Sequence, residues 1–276
     1  MGAAGLNRSL PSDHANLADA NFVSHAGWVQ RQLPGMQVLD RPDLVLIDSG
    51  LPCDTFNFVC RARLDRSDAP ERVREAVAYF RERRLPFSWW VGPADQPGDL
   101  GGLLVAAGLD PAETELAMVA DLSELGSTGA TVEGLRIERV DTERKLEAFA
   151  QLSAANWTPP DSMVLQFYEL GKVPLLSEDC PLRLYVGYCG DVPVGTAEAT
   201  VGGGVVGLYN ISTLAAYRRR GFGAALTLRA LLDAREEGAR SAVLQAAPDG
   251  VGLYTRLGFR PFGDITEYKP AVSTEA

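Results

Sequence analysis

Cysteine is scarce in this chain of 276 residues, which contains only four. Their spacings match none of the ligand patterns of zinc sites, so we expect no bound metal. So few cysteines in so long a chain favour reduced thiols and a cytoplasmic protein. The four residues are Cys53, Cys60, Cys180 and Cys189.

Histidine is scarcer still, since the chain has only His14 and His25, both near the N-terminus. The C-terminal half therefore has no histidine of its own for a catalytic triad or a metal site. We interpret both histidines as structural or solvent-exposed rather than catalytic.

Long apolar runs and excess positive charge are also absent. No stretch approaches the roughly 18 uninterrupted apolar residues that cross a bilayer, and Met1–Arg8 lacks the apolar core of a secretion signal. The formal net charge is -10, whereas a general nucleic-acid binder usually has a basic face. We expect neither a membrane nor a nucleic acid as a partner, and a cationic substrate such as an amine fits the charge better.

The most informative segment is a turn that follows a strand-like run and opens an amphipathic, helix-like run. It contains Arg218, Arg219, Arg220, Gly221 and Gly223. The N–H groups and dipole of a helix N-terminus favour an anion. Glycine lets the backbone approach phosphates closely, and guanidinium groups add charge-assisted hydrogen bonds. The turn therefore predicts a pyrophosphate site, although it matches neither a Walker loop nor the dinucleotide fingerprint.

A second informative segment is Gly252–Pro261. Leu253 and Leu257 are four residues apart and predict one face of a short helix. Gly258 is suited to cap the end of that helix, and Phe259 opens a strand. Between the two segments, Ser241–Ala247 predicts a short buried strand.

Together, the two segments resemble the coenzyme A-binding part of the GCN5-related N-acetyltransferase (GNAT) superfamily. The pattern Arg218-x-x-Gly221-x-Gly223 is similar to the family's coenzyme A loop, and Gly252–Pro261 is similar to its last conserved helix and the strand that follows. The resemblance implies a mixed α/β GNAT fold, acetyl-coenzyme A (acetyl-CoA) as the acyl donor, and no metal.

The resemblance also assigns a coenzyme site. In the family, the pantetheine arm lies beside the strand before the Arg/Gly turn, where a splay in the sheet frees N–H groups and one of them polarises the thioester oxygen. The matching positions in this chain are Ile211, Ser212, Thr213, Leu214, Arg218, Arg219, Arg220, Gly221, Phe222, Gly223 and Ala224.

Two residues are candidates for proton transfer. Tyr254 matches the family tyrosine that contacts the thioester sulfur and can act as a general acid. Glu198, in the strand before the coenzyme strand, is a candidate base acting through a water, and its alternative is an exposed strand carboxylate. Other acids, or a water relay alone, stay open as the base; the other acids are Asp161, Glu169 and Glu178.

Aromatic side chains provide candidate walls for the substrate, because they suit a cation or an apolar group. Core packing is the alternative for each of them. The candidates are the aromatic residues Trp157, Phe167, Tyr168 and Tyr209, together with Asn210.

The chain divides best at a small, polar, glycine-rich stretch. We predict a first domain over residues 1–122, a linker over 123–133 and a catalytic GNAT domain over 134–276. The first domain repeats the order of strands and helices of the second, and Leu103–Leu109 aligns with Leu253–Phe259. It lacks the Arg/Gly turn, so the prediction is two tandem GNAT-like domains with a degenerate first copy.

The function predicted from the resemblance is acetyl transfer from acetyl-CoA to a small-molecule amine by direct attack. One alternative keeps the fold with another donor, a longer acyl-CoA or an aminoacyl-tRNA. Another is a non-catalytic module that senses an acyl-CoA or a small ligand. A homodimer is compatible with the sequence, which does not decide the oligomeric state.

Overall fold

The computed structural model describes residues 11–126 and 131–271. Met1–Arg8 and part of the predicted linker lie outside these ranges. The described residues form eight α-helices: α1 Pro11–Gln32, α2 Ala69–Arg83, α3 Leu100–Ala106, α4 Glu143–Ala154, α5 Ser162–Leu170, α6 Lys172–Leu175, α7 Phe222–Glu236 and α8 Val251–Arg256. They also form eleven strands: β1 Gln37–Asp40, β2 Val45–Asp48, β3 Phe58–Cys60, β4 Ser88–Val91, β5 Leu109–Asp121, β6 Leu135–Arg139, β7 Leu182–Cys189, β8 Val192–Gly202, β9 Val205–Thr213, β10 Ser241–Ala246 and β11 Arg260–Pro270.

All the described strands join one mixed sheet, in the order β1-β2-β3-β4-β11-β5-β10-β9-β8-β7-β6. The last strand of each half crosses to the other half. β5 pairs antiparallel with β10, and β11 pairs antiparallel with β4. β5 and β11 also pair with each other, from Val119 opposite Arg260 to Leu109 opposite Pro270. Each half therefore completes the sheet of the other.

The two halves repeat one another around this exchange. The unit β3-α2-β4-α3-β5 has the same order as β9-α7-β10-α8-β11, and in both the first two strands are parallel. The short helices α3 and α8 are each followed by a glycine with positive φ, Gly108 at 85° and Gly258 at 93°. Glycine suits this position because it adopts the left-handed conformation without strain.

The structure confirms the predicted mixed α/β fold. In the second half, the predicted strands and helices are present with ends shifted by a few residues. In the first half, the sequence did not predict α1, β1 or β2. The division at residues 123–133 stays a prediction, and the sheet crosses it without a break.

Helix α1 belongs to the first half but packs across β8 and β9 of the second. Its Asn21 is fully buried. The side-chain amide donates hydrogen bonds to the carbonyl oxygens of Thr200, Gly202 and Val205, at 2.9, 2.8 and 3.1 Å. The Tyr209 hydroxyl donates to Asn21 Oδ1 at 2.8 Å. Asn21 thus fixes α1 to the turn between β8 and β9.

Replacing Asn21 by alanine should lower the free energy of unfolding by about 3 kcal/mol, because buried polar groups would lose their partner. Urea denaturation measures this change. The matched control is Asn16→Ala on the same helix, where the exposed side chain accepts one bond from Arg63. Equal losses in the two variants would contradict the role given to Asn21.

Candidate active site

Strands β9 and β10 separate at the centre of the sheet. Their parallel pairing covers only Val206–Leu208 against Ala242–Leu244. Beyond Leu208, β9 continues beside β8, while β10 continues beside β5. The edge of β9 from Tyr209 to Thr213 therefore faces an opening instead of a neighbouring strand.

A β-bulge in β9 marks the start of this opening. Thr196 lies opposite Ser212 and Glu198 lies opposite Tyr209, so β9 has one residue more than β8 between these pairs. Asn210 in the bulge has a φ of 49°, which is uncommon for a residue other than glycine. Thr196 Oγ1 donates a hydrogen bond to the Asn210 carbonyl oxygen at 2.7 Å. β8 thus supports the backbone that turns β9 away from β10.

The opening leads to the N-terminus of α7. Its N-cap is Gly221, with φ 83°, and no side chain caps the helix. The N–H groups of Phe222, Gly223 and Ala224 precede the first helical bond, which runs from Ala225 N–H to the Gly221 carbonyl oxygen at 3.0 Å. These N–H groups can bind an anion.

The arginines of the turn are all exposed. Arg218 Nε donates to the Thr213 carbonyl oxygen at 3.0 Å, which ties the turn to the end of β9. Arg220 stacks over the Tyr217 ring, 5.3 Å from its centroid. Arg218 and Arg219 line the cleft that contains the opening, and Arg220 does not.

Tyr254 on α8 lies on the other side of this cleft and is half-buried. Burial, followed by the negative charges of Glu115 and Asp249, raises the pKa of the Tyr254 phenol to about 12. The hydroxyl group therefore keeps its proton at neutral pH, which is the form that a general acid needs.

Glu198 on β8 is only 1% exposed, yet it is fully engaged in hydrogen bonds. Its Oε1 accepts from Thr200 Oγ1 and pairs with His25 Nδ1, both at 2.6 Å, and its Oε2 accepts from Asn210 Nδ2 at 2.8 Å. Burial opposes the charged form, but a protonated His25 and the hydrogen bonds from His25, Thr200 and Asn210 together lower the pKa of Glu198. The side chain is therefore an internal carboxylate, and it does not line the cleft.

His25 reaches this site from α1. Its ring stacks face to face on Tyr209, with centroids 3.8 Å apart and 7° between the planes, and it lines the cleft. The second half has no histidine of its own, and this contact brings one to its cleft from the first half. The sequence did not predict the pairing of His25 with Glu198, because the two residues are 173 positions apart and because α1 itself was not predicted.

The cleft has a volume of about 1210 Å³ and is lined by residues of both halves. It brings together most of the predicted site residues: Trp157, Tyr209, Asn210, Ile211, Ser212, Thr213, Arg218, Arg219, Gly221, Phe222, Gly223, Ala224 and Tyr254. Leu214 lies beside it and packs against the core.

Phe167 and Tyr168 do not line the cleft, in contrast to the predicted substrate wall. Both are buried in a core cluster that contains residues of both halves, and Phe167 stacks on Phe56 of the first half with centroids 3.9 Å apart. Two of the alternative acids are engaged away from the cleft: Asp161 caps α5 by accepting from the Met163 N–H at 2.8 Å, and Glu169 pairs with Lys172. The third, Glu178, is exposed and does not line the cleft.

Comparison with known proteins decides the family of the second half. The profile described as the acetyltransferase (GNAT) family matches residues 146–259. These residues are a GNAT acetyltransferase domain. The match includes the bulge, the opening, the start of α7 and α8, and it indicates acyl-CoA-dependent N-acetyl transfer as the general class of activity.

Solved structures extend the similarity to most of the chain. A GCN5-related N-acetyltransferase from Kribbella flavida is 21% identical, with a TM-score of 0.69 over 91% of this chain and 95% of its own. One from Sphaerobacter thermophilus is 16% identical, with a TM-score of 0.60 over 96% and 95%. A tandem GNAT protein from the clavulanic acid biosynthesis pathway is 15% identical, with a TM-score of 0.57 over 95% and 96%. At such identities the structures show a shared fold. No curated protein matches the chain significantly.

The equivalent position in the first half is closed, unlike the opening in the GNAT domain. Beyond the pairing of β3 with β4, Arg63 forms a further parallel bridge with Gln96. Leu64 N–H donates to the Gln96 carbonyl oxygen at 3.1 Å, and Gln96 N–H donates to that of Ala62 at 3.0 Å. Arg63 is held by Asp19 at 2.6 Å and Asp95 at 2.8 Å. These bonds occupy the backbone edge that the GNAT domain leaves free.

The start of α2 is likewise occupied. The Ala69 N–H donates to the Asp65 carbonyl oxygen at 2.9 Å, and the Glu71 N–H donates to that of Asp68 at 2.9 Å. Pro70 has no N–H to offer. Both features support the prediction that the first half is a degenerate copy.

No helix in the described ranges has both the length and the apolar character needed to cross a membrane. Residues 11–126 and 131–271 also hold no group of three or more histidine, cysteine, aspartate or glutamate side chains placed to bind a metal ion.

Carboxylates from β5 and β11 form the wall of the cleft near Tyr254. Glu113 lies directly opposite Glu267, and Glu115 lies two residues along β5. Glu267 pairs with Lys269 at 3.4 Å. Burial, followed by repulsion from Glu113 and Glu267, raises the pKa of Glu115 to about 7.

Glu115→Gln should stabilise the protein at about pH 8 by about 1 kcal/mol and leave its stability unchanged at about pH 4. The folded-state pKa of Glu115 lies above the unfolded value, so the wild type loses stability as pH rises through that range. The glutamine has no charge to bury. Urea denaturation across pH measures the difference, with the exposed Glu124→Gln as control. A gain that does not depend on pH would contradict this account.

Proposed function

We propose that this protein transfers an acetyl group from acetyl-CoA to a small-molecule amine by direct attack of the amine on the thioester. The observation that carries the proposal is the opening between β9 and β10, which ends at the uncapped N-terminus of α7. A free strand edge and an anion site in one cleft fit the two ends of an acyl-coenzyme: a thioester that needs polarising and a diphosphate that needs neutralising.

In this proposal the strand edge and the turn bind different parts of the coenzyme. N–H groups in Ile211–Thr213 can donate to the thioester oxygen and stabilise the negative charge that develops on it. The N–H groups of Phe222–Ala224 can bind the diphosphate, with charge support from Arg218, Arg219 and Arg220. Gly221 and Gly223 keep this approach free of side chains.

Tyr254 is the proposed general acid. Its protonated phenol lies in the same cleft as the strand edge, on the side of α8. When the carbon–sulfur bond breaks, the thiolate takes the phenolic proton, which makes the coenzyme a better leaving group.

The amine is proposed to bind on the side of the cleft shared by the two halves. Phe22, Phe58, Trp90 and Tyr209 provide an aromatic wall there, and Trp157 stands at the margin with 44% of its surface exposed. The carboxylates Glu113, Glu115 and Glu267 give this region a negative charge that attracts a cationic ammonium.

The proposed function is tested by measuring release of free coenzyme A from acetyl-CoA with a panel of small amines. Thiol formation that depends on both the amine and the protein supports it, and mass spectrometry identifies the acetylated product. Tight binding of acetyl-CoA without turnover on any amine would instead favour a sensing module.

Tyr254→Phe should lower kcat about 100-fold, because the thiolate loses its proton donor. The dissociation constant of acetyl-CoA should change less than threefold, since the ring stays in place. Steady-state kinetics and calorimetry measure the two effects.

Tyr79→Phe is the matched control for this substitution. Burial and Asp48 raise the pKa of Tyr79 to about 12 as well, but Tyr79 lies in the first half, away from the cleft. An unchanged kcat in Tyr254→Phe would remove the role assigned to Tyr254.

Arg219→Glu should weaken acetyl-CoA binding at least about tenfold, because a guanidinium beside the diphosphate becomes a carboxylate. The loss should shrink at high salt, where exposed charges are screened. Calorimetry at two ionic strengths measures both. Arg66→Glu makes the same charge change in the corresponding turn of the first half, where Arg66 is exposed beside Asp99. Equal effects from the two substitutions would place the diphosphate elsewhere.

A further inference from the structure

His25 and Glu198 form a pair that joins the two halves of the molecule at the cleft. The carboxylate is internal and ionised, and all its described partners are hydrogen-bond donors. A carboxylate only accepts hydrogen bonds, so His25 Nδ1 carries the proton and donates it to Glu198 Oε1 at 2.6 Å. In the neutral ring, Nε2 then holds a free lone pair.

The surroundings hold the ring in one orientation. One face of the imidazole stacks on Tyr209, whose hydroxyl is in turn bonded to Asn21. The side chain of His25 is 19% exposed, and it lines the cleft beside the opening of β9. Among the described residues, none forms a hydrogen bond with Nε2. The ring therefore presents a free basic nitrogen to the cleft.

We propose that His25 is the general base that deprotonates the acceptor amine, and that Glu198 is the positioning residue that fixes its tautomer. This inference rests on the acetyl transfer proposed above and names its base. It replaces the prediction that Glu198 acts through a water, because Glu198 has no free oxygen facing the cleft.

Proton transfers accompany the transfer of the acetyl group. Nε2 of His25 takes one proton from the ammonium, and the freed lone pair on nitrogen forms a bond to the acetyl carbon. The carbon–sulfur bond breaks with its electron pair on sulfur, and the thiolate takes the proton of Tyr254. The second proton leaves the new amide nitrogen and restores the tyrosine through solvent, while the imidazolium of His25 loses its proton to solvent. One proton is released in each turnover.

Other titratable groups also lie near the pair. Tyr209 on β9 contacts the ring, and the same cleft is lined by Asp54, Glu113, Glu115, Glu267 and Lys269. Tyr168 and Cys180 interact with Glu198, and burial raises the pKa of both, so they stay uncharged. Arg31, further along α1, pairs with Asp40. Of the groups that contact the ring, only Glu198 is charged at neutral pH.

The test compares pH profiles of kcat/KM for the wild type, His25→Asn and Glu198→Gln. Asparagine can still donate a hydrogen bond to Glu198 but has no basic nitrogen. We expect kcat/KM to fall about 100-fold or more in His25→Asn, with loss of the ascending limb of the pH profile and unchanged acetyl-CoA affinity. In Glu198→Gln, kcat/KM should also fall with unchanged acetyl-CoA affinity, because the ring loses the acceptor that fixes its tautomer.

Two further variants separate a chemical role from a structural one. Added imidazole should restore turnover in His25→Ala in proportion to its concentration, and it should not affect Tyr254→Phe. His14→Gln, on the same helix, should behave like the wild type. A wild-type pH profile in His25→Asn, or no rescue of folded His25→Ala, would overturn the proposal.

Nitrogen NMR of the wild-type histidines tests the pair independently of any turnover. The chain has two histidines, and His14→Gln identifies the signals of His25. In the neutral ring we expect the proton on Nδ1, and loss of that preference in Glu198→Gln. A neutral ring with its proton on Nε2 would overturn the proposal. If wild type released no thiol with any amine while the tautomer was as expected, the acetyl transfer would fail and the pair would stand as a structural one.

Discussion

The antiparallel pairing of β5 with β11 is the contact on which the rest of the molecule depends. Through it, the first half covers β10 and the second half covers β4, so neither sheet ends at an exposed edge in the middle of the protein. It also sets the shape of the cleft, because β5 and β11 supply the wall opposite β9. An unpaired edge at this position would expose backbone hydrogen-bonding groups to other chains.

The two halves share the order of their elements but differ at the end of their parallel strand pair, which is β9 with β10 in the second half and β3 with β4 in the first. In the second half, the bulge at Asn210 turns β9 away from β10, and the glycine-rich turn leaves the start of α7 open. In the first half, the bridge between Arg63 and Gln96 keeps the corresponding strand edges paired. The N–H groups at the start of α2 form hydrogen bonds within their own turn. The first half has a different contribution: α1 places His25 and Phe22 in the cleft of its neighbour, held there by the hydrogen bonds of Asn21.

The local structure at the proposed coenzyme end of the site could be predicted from the sequence because its signals are local. The arginines and glycines of 218–223 directly precede the helix that they open, and Gly258 follows the short helix α8. Each of these patterns is local and has a direct physical meaning. The acceptor end could not, because it is assembled from residues distant in the chain. His25 and Glu198 meet only through the packing of α1, and an aromatic residue such as Phe167 carries no sign in the sequence that it faces the core while Trp157 faces solvent. The sequence also did not predict the exchange of β5 and β11, since the residue pattern of a strand does not identify the strand with which it pairs.

The crossing of the last strands has a topological consequence. A single break in the backbone between residues 126 and 131 would leave both pieces interlocked, each with a strand threaded between two strands of the other. Separating them would require breaking the ladders of β5 and β11 together, which is comparable to unfolding the centre of the sheet.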